Sequence, residues 1–245
     1  MLLSGCSLTG QAIPRDMILV KETEHALFYV RRTDEDVDEM VKILSRAFEQ
    51  HYHRITDMLR FEPPGKTVVF IHTDIREFQK TIGRKTEGTY DADDRRIKVH
   101  TPANLGPDVL RKAYADQLIH EFVHAVILQL NPAVGRLKWL DEGTAYYVSG
   151  QLQDELESGR RAHKSVPELD HFLDSDSYFA TAGGDAYYFS GLVVKYIFEE
   201  FGEDRFRAIL RDPDAMASIL GLPVEEFYDA WKEYVRDLQQ SKRVP

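Results

Sequence analysis

Residues 118–130 read Leu118-Ile119-His120-Glu121-Phe122-Val123-His124-Ala125-Val126-Ile127-Leu128-Gln129-Leu130. At about 100° per residue, His120, Glu121 and His124 fall with Gln117 in one sector about 100° wide, while Leu118, Ile119, Phe122, Val123 and Val126 cover the other faces. One polar stripe crosses a buried helix. Two imidazoles and a carboxylate buried without partners are costly, and a divalent metal held by histidines at i and i+4 satisfies them directly. Glu121 then stands where it can take a proton from a water that attacks a metal-polarised carbonyl. H-E-x-x-H is a short pattern, and the competing reading is a histidine pair on a solvated helix face.

A second stretch, Trp139-Leu140-Asp141-Glu142-Gly143-Thr144-Ala145, bears on that choice. A structural zinc usually has four protein ligands, whereas a catalytic one has three and an open position. Glu142 can be the third. Asn131-Pro132 and Gly135 give the chain room to turn back, start a second helix near Asp141 and bring a carboxylate opposite the histidines. Gly143 would let helices approach closely there.

Working outward, Ala26–Arg31 is short, aromatic and partly β-branched, and reads as a strand. A helix follows, capped by Thr33 or Asp34, with Val37, Met40, Val41, Leu44, Phe48, Tyr52 and Ile55 at helical spacing. After Pro63-Pro64-Gly65 come a strand, Thr67–His72, and a short helix over 74–81. Residues 88–94 are turn-rich, and 95–100 alternate polar with apolar, which predicts a half-exposed strand at a sheet edge. From Pro107 on, the pattern is helical over about 108–130, 141–156, 185–201, 203–211 and 224–240, with a loop-rich segment in the later part of 151–184. Strands first and helices last predict an α+β fold, a small N-terminal mixed sheet packed on a mostly helical C-terminal half. Residues 26–240 read as a single domain and 1–25 as a flexible N-terminal segment.

The chain has 31 Lys plus Arg against 41 Asp plus Glu, a formal net charge of −10, which argues against a sequence-independent grip on nucleic acid phosphates. A hydrophobic content of 43% is too high for a disordered chain. No apolar run approaches the roughly 20 residues that a membrane helix needs. The single cysteine excludes an internal disulfide. It closes Leu3-Ser4-Gly5-Cys6, which resembles the lipobox of bacterial lipoproteins, in which the cysteine is lipidated. Only five residues precede it, so either the chain starts inside a longer precursor or the match is chance. The first alternative implies a domain tethered to a membrane through Cys6 in a bacterial cell envelope, facing the periplasm or exterior.

The two central motifs together resemble those of the gluzincin zinc metallopeptidases, and among them the compact peptidase MA-like domains with H-E-x-x-H followed by W-L-x-E-G-x-A. The resemblance implies a zincin-like fold, a Zn2+ cofactor held by His120, His124 and Glu142, Glu121 as general base, and a peptide or protein substrate. Seventeen residues separate His124 from Glu142, close to but not equal to the family's best-known separation. Tyr146 stands four residues after Glu142, where thermolysin-like members place an acid, so Asp141 or Asp116 is expected to orient a histidine instead. Asp185-Ala186-Tyr187-Tyr188-Phe189-Ser190-Gly191 is similar to a family segment whose tyrosine is a candidate donor to the oxyanion. Tyr187 fits its spacing better than Tyr188, and both also read as core aromatics. In the family the strand before the zinc helix binds an extended peptide, which would give 97–100 a substrate role and bring His100 near the site. His25, His51, His53, His72, His163 and His171 read as surface or capping residues. Two other functions remain open on these residues, a non-catalytic envelope binding or assembly module that keeps the fold, and a metal-dependent hydrolase of a non-peptide amide. Intact Glu121 speaks against the first, since a purely structural metal needs no base.

Overall fold

The computed structural model describes residues 12–241, so Cys6 and its expected lipid tether lie outside the described residues. The architecture is α+β, with a five-stranded mixed sheet in the N-terminal half and helices dominating the C-terminal half. The chain forms two compact units, one from residues up to 49 together with 65–117, the other from 50–64 and from 118 onward.

The first unit holds β1 (Met17–Glu22), β2 (Ala26–Arg31), the start of α1 (Asp38–Leu59), β3 (Thr67–His72), α2 (Ile75–Ile82), β4 (Gly88–Asp91), β5 (Arg96–His100) and the start of α3 (Asp108–Leu130). The strand order is β1-β2-β3-β5-β4, with β2, β3 and β5 parallel and the outer two antiparallel to their neighbours. In β2 the residues Ala26, Phe28 and Val30 point inward and alternate with half-buried Leu27, Tyr29 and Arg31, and Phe28 meets Phe48 of α1 edge-on at 6.0 Å. The central β3 is buried on nearly every residue, as a parallel strand covered on both faces should be. Asp74 caps α2 by accepting from Glu77 N at 2.8 Å.

Three expectations for this half are corrected. Residues 96–100 do not form an edge, because β5 lies between β3 and β4 with both ladders occupied. A strand paired on both sides has no backbone groups left for an added peptide, so the substrate role expected of 97–100 falls. The edge on that side is β4, in the stretch read as turns. Its sequence, Gly-Thr-Tyr-Asp, sets two strand formers between Gly88 and Asp91, which strands disfavour, and pairing with β5 overrides that. Finally, β1 lies inside the N-terminal segment expected to be flexible. As an edge strand it keeps only Met17 well buried and leaves Leu19 exposed, too little burial to give a clear apolar pattern.

The second unit holds the end of α1, the end of α3, α4 (Lys138–Ser149), α5 (Gln151–Ser158), α6 (Leu169–Leu173), α7 (Ser175–Ala182), α8 (Gly184–Tyr196), α9 (Glu203–Arg211), α10 (Met216–Leu220) and α11 (Val224–Ser241). The helix expected over 141–156 is broken at Gly150, whose φ of 100° closes α4 and opens α5. The loop-rich segment contains two short helices, α6 and α7. The helix expected over 185–201 ends as a π-helical turn, Ile197–Phe201. Around α3, Leu118, Ile119, Phe122, Val123, Ala125, Val126 and Ile127 are all buried, and Tyr52 of α1 stacks on Phe122 with ring centroids 5.4 Å apart. Among the described residues no helix is long and apolar enough to cross a membrane.

Candidate metal centre

The polar stripe of α3 is buried: His120, Glu121 and His124 are 6%, 4% and 7% exposed. The solvated-face reading of the histidine pair is therefore excluded. Opposite them stands Glu142, in the second turn of α4. Gly143 holds that helix close to α8, since a Cβ there would lie 2.5 Å from the Ser190 carbonyl oxygen. Asn131 starts the turn that brings the chain back, accepting from Ala133 N at 3.0 Å and donating to the Leu210 and Arg211 carbonyls at the end of α9, each at 3.0 Å.

Three ligand atoms converge. His124 Nε2 lies 3.1 Å from His120 Nε2, and Glu142 Oε2 lies 3.3 Å from His120 Nε2 and 3.4 Å from His124 Nε2. Donors about 2.0–2.1 Å from one tetrahedral zinc stand about 3.3–3.4 Å from each other, so this triangle has the size such an ion requires. The far side of each imidazole is also occupied. His124 Nδ1 is 2.6 Å from Asp141 Oδ1, and His120 Nδ1 is 2.8 Å from Gln151 Oε1. Both Nδ1 atoms face acceptors, so a ring that is neutral carries its proton on Nδ1 and turns its Nε2 lone pair toward the Glu142 carboxylate. Repulsion among these atoms is relieved by positive charge inside the triangle, which either a proton or a metal ion can supply.

The electrostatics agree with the geometry. Burial works against charge on His124, but Asp141 and Glu142 outweigh it and hold its pKa well above the ordinary value. Burial likewise works against an ionised Glu142, yet hydrogen bonds from His120 and His124 and the charge on His124 hold its carboxyl far below the usual range. A pocket that stabilises positive charge between carboxylates suits a divalent ion.

The remaining sequence candidates divide. Asp141 does orient a histidine, whereas Asp116 engages Lys112 Nζ at 2.7 Å. Tyr187 sits beside the centre, its ring 6.4 Å from that of His120, while Tyr188 is 2% exposed and packs against Phe189 at 5.2 Å as a core aromatic. His100, in the first unit, is half-buried with its ring edge-on to Tyr114 at 6.3 Å. His171 completes the capping box of α6 as expected of a capping residue. His72 is a correction, being 6% exposed and not a surface group.

Sequence reasoning missed Gln151, which reaches His120 from the next helix after the left-handed turn at Gly150. It also missed the partner of Tyr146, whose hydroxyl donates to buried Glu155 at 2.8 Å. Arg161 bridges Glu155 and Asp185, bonding the latter at 2.9 Å, and so ties down the first turn of α8, which carries Tyr187. Neither link has a spacing signal, because each joins different helices. A second group of metal-type ligands among the described residues, Glu24, His25 and Glu49, is satisfied internally. His25 Nδ1 lies 2.6 Å from Glu49 Oε2 and its backbone N donates to Oε1 at 3.0 Å, which ties the turn after β1 to α1. Compared with models of known protein families and with curated proteins, the chain matches none.

Proposed function

We propose that the chain is a zinc-dependent metallopeptidase of the gluzincin type, acting on peptide or protein substrates. The observation that carries the proposal is the triangle of His120 Nε2, His124 Nε2 and Glu142 Oε2, with sides of 3.1–3.4 Å and both Nδ1 atoms held by acceptors. These three residues would hold the zinc. When bound, zinc supplies a Lewis acid for the scissile carbonyl and lowers the pKa of water. Three protein ligands, not four, leave room for chemistry. Glu121, buried and next to His120 on α3, takes the proton of the attacking water on its carboxylate and delivers it to the leaving amine. The Tyr187 hydroxyl donates to the oxygen on which negative charge develops. Lipidation at Cys6 would hold this domain at a bacterial envelope membrane, and mass analysis of the mature N-terminus tests that part.

The central test is metal analysis of wild type beside Glu142→Ala, with cleavage of a mixed peptide library by wild type and Glu121→Ala. About one zinc per chain, weakened by the first change, and cleavage abolished by the second are the expected results. Absence of zinc from wild type would refute the metal reading. Bound zinc with no cleavage would refute the peptidase.

A further inference from the structure

The two histidines are backed unequally. His124 leans on a carboxylate, Asp141, and His120 on a neutral amide, Gln151. Gln151 is the first residue of α5, placed there by Gly150 in its left-handed conformation, and its Oε1 also lies 3.4 Å from Ser149 Oγ. An acceptor at Nδ1 determines which imidazole nitrogen carries the proton. With Gln151 Oε1 in place, His120 keeps its proton on Nδ1 and turns the Nε2 lone pair toward Glu142. Without it, the proton can move to Nε2, where the Glu142 carboxylate offers an acceptor at 3.3 Å, and the nitrogen is lost as a ligand.

We infer that Gln151 is a positioning residue for the metal centre, fixing the tautomer and rotation of His120 from outside the ligand set. The inference rests on the zinc reading and extends it to a residue with no place in either motif. It also has an electrostatic side. Carboxylates already surround the histidines at Glu121, Asp141 and Glu142, and a carboxylate at 151 would add a further negative charge. The amide therefore supplies the acceptor without extra charge. A glutamate at 151 keeps the acceptor and adds attraction for the ion, while an alanine removes the acceptor.

The test is competitive zinc titration against a chromophoric chelator, using metal-free wild type, Gln151→Ala and Gln151→Glu, with melting of each metal-free protein as the fold control. Gln151→Ala is expected to bind zinc about 10–100-fold more weakly, the usual loss when the outer partner of a ligating histidine is removed. Gln151→Glu is expected to bind at least as tightly as wild type, a rescue that a merely space-filling role would not give. Affinity of Gln151→Ala within about twofold of wild type would overturn the inference while leaving the metal centre standing. So would a Gln151→Glu protein as weak as Gln151→Ala. A wild type with no measurable zinc affinity would bring down both readings.

Discussion

Replacing Gly143 by alanine sets two effects of opposite sign against each other. In an ordinary helix interior, alanine is favoured over glycine by about 1 kcal/mol, and Gly143 lies inside α4. In this helix, however, the new Cβ would stand 2.5 Å from the carbonyl oxygen and 2.7 Å from the carbonyl carbon of Ser190, both backbone atoms of α8. Separation to ordinary contact requires the two helices to part by about 1 Å, and a close-packed interior resists such a shift. Overpacking costs about 1–3 kcal/mol, and the upper end applies because no flexible side chain can yield. The net expectation is a loss of about 2 kcal/mol, or roughly 4–8 °C in Tm for a chain of this size. Gly191→Ala provides the graded comparison. Its Cβ would meet only the side chains of Tyr146 and Leu152, at 3.2–3.4 Å, so its loss should stay below about 1 kcal/mol. Scanning calorimetry in excess chelator measures both without a contribution from metal. A Gly143→Ala protein that melts at or above the wild-type temperature, or a larger loss from Gly191→Ala, would refute the close helix approach that sets Glu142 opposite the histidines.

Two further expectations concern other residues. Burial, with the positive charge of Arg31 adding to it and Asp34 opposing, pushes the buried His72 imidazole from 6.5 down to about 4. The unfolded chain therefore binds the extra proton first as pH falls. Stability from the neutral ring is present above pH 6.5 and lost on the way down to pH 4, by about 3 kcal/mol. In urea titrations between pH 7 and 4, wild type should lose about that much stability relative to His72→Leu, and parallel curves would contradict it. At the metal centre, Tyr187→Phe should lower kcat about 100-fold or more, with KM and zinc affinity nearly unchanged, if its hydroxyl serves the oxyanion. Full activity would assign Tyr187 to packing against Phe179, 5.0 Å away.

How much of this molecule could be read from its sequence follows from where each signal resides. Residues that are buried in regular elements announce themselves by period. Thus α3 and β3 fall where their apolar spacing puts them, and the i, i+4 histidines share a face because helix geometry requires it. Glu142 drew on another source: the chain reversal brings Asp141 and Glu142 back toward the histidines, and the resemblance to W-L-x-E-G-x-A picks Glu142 of the two. Elements stabilised by pairing gave little notice. The sheet edge went to β4, whose Gly88 and Asp91 argue against a strand, because β5 supplied the missing hydrogen bonds. Gln151 marks the boundary between the two kinds of information. Nothing in its neighbourhood distinguishes it from a solvated glutamine, and its distance to His120 depends on the fold of α3, α4 and the left-handed turn at Gly150 taken together. The two histidines are tied to a local repeat and can be found in one dimension. The groups that orient them need only arrive with an acceptor atom, from whichever helix passes, so their identity becomes visible only once the backbone is in place.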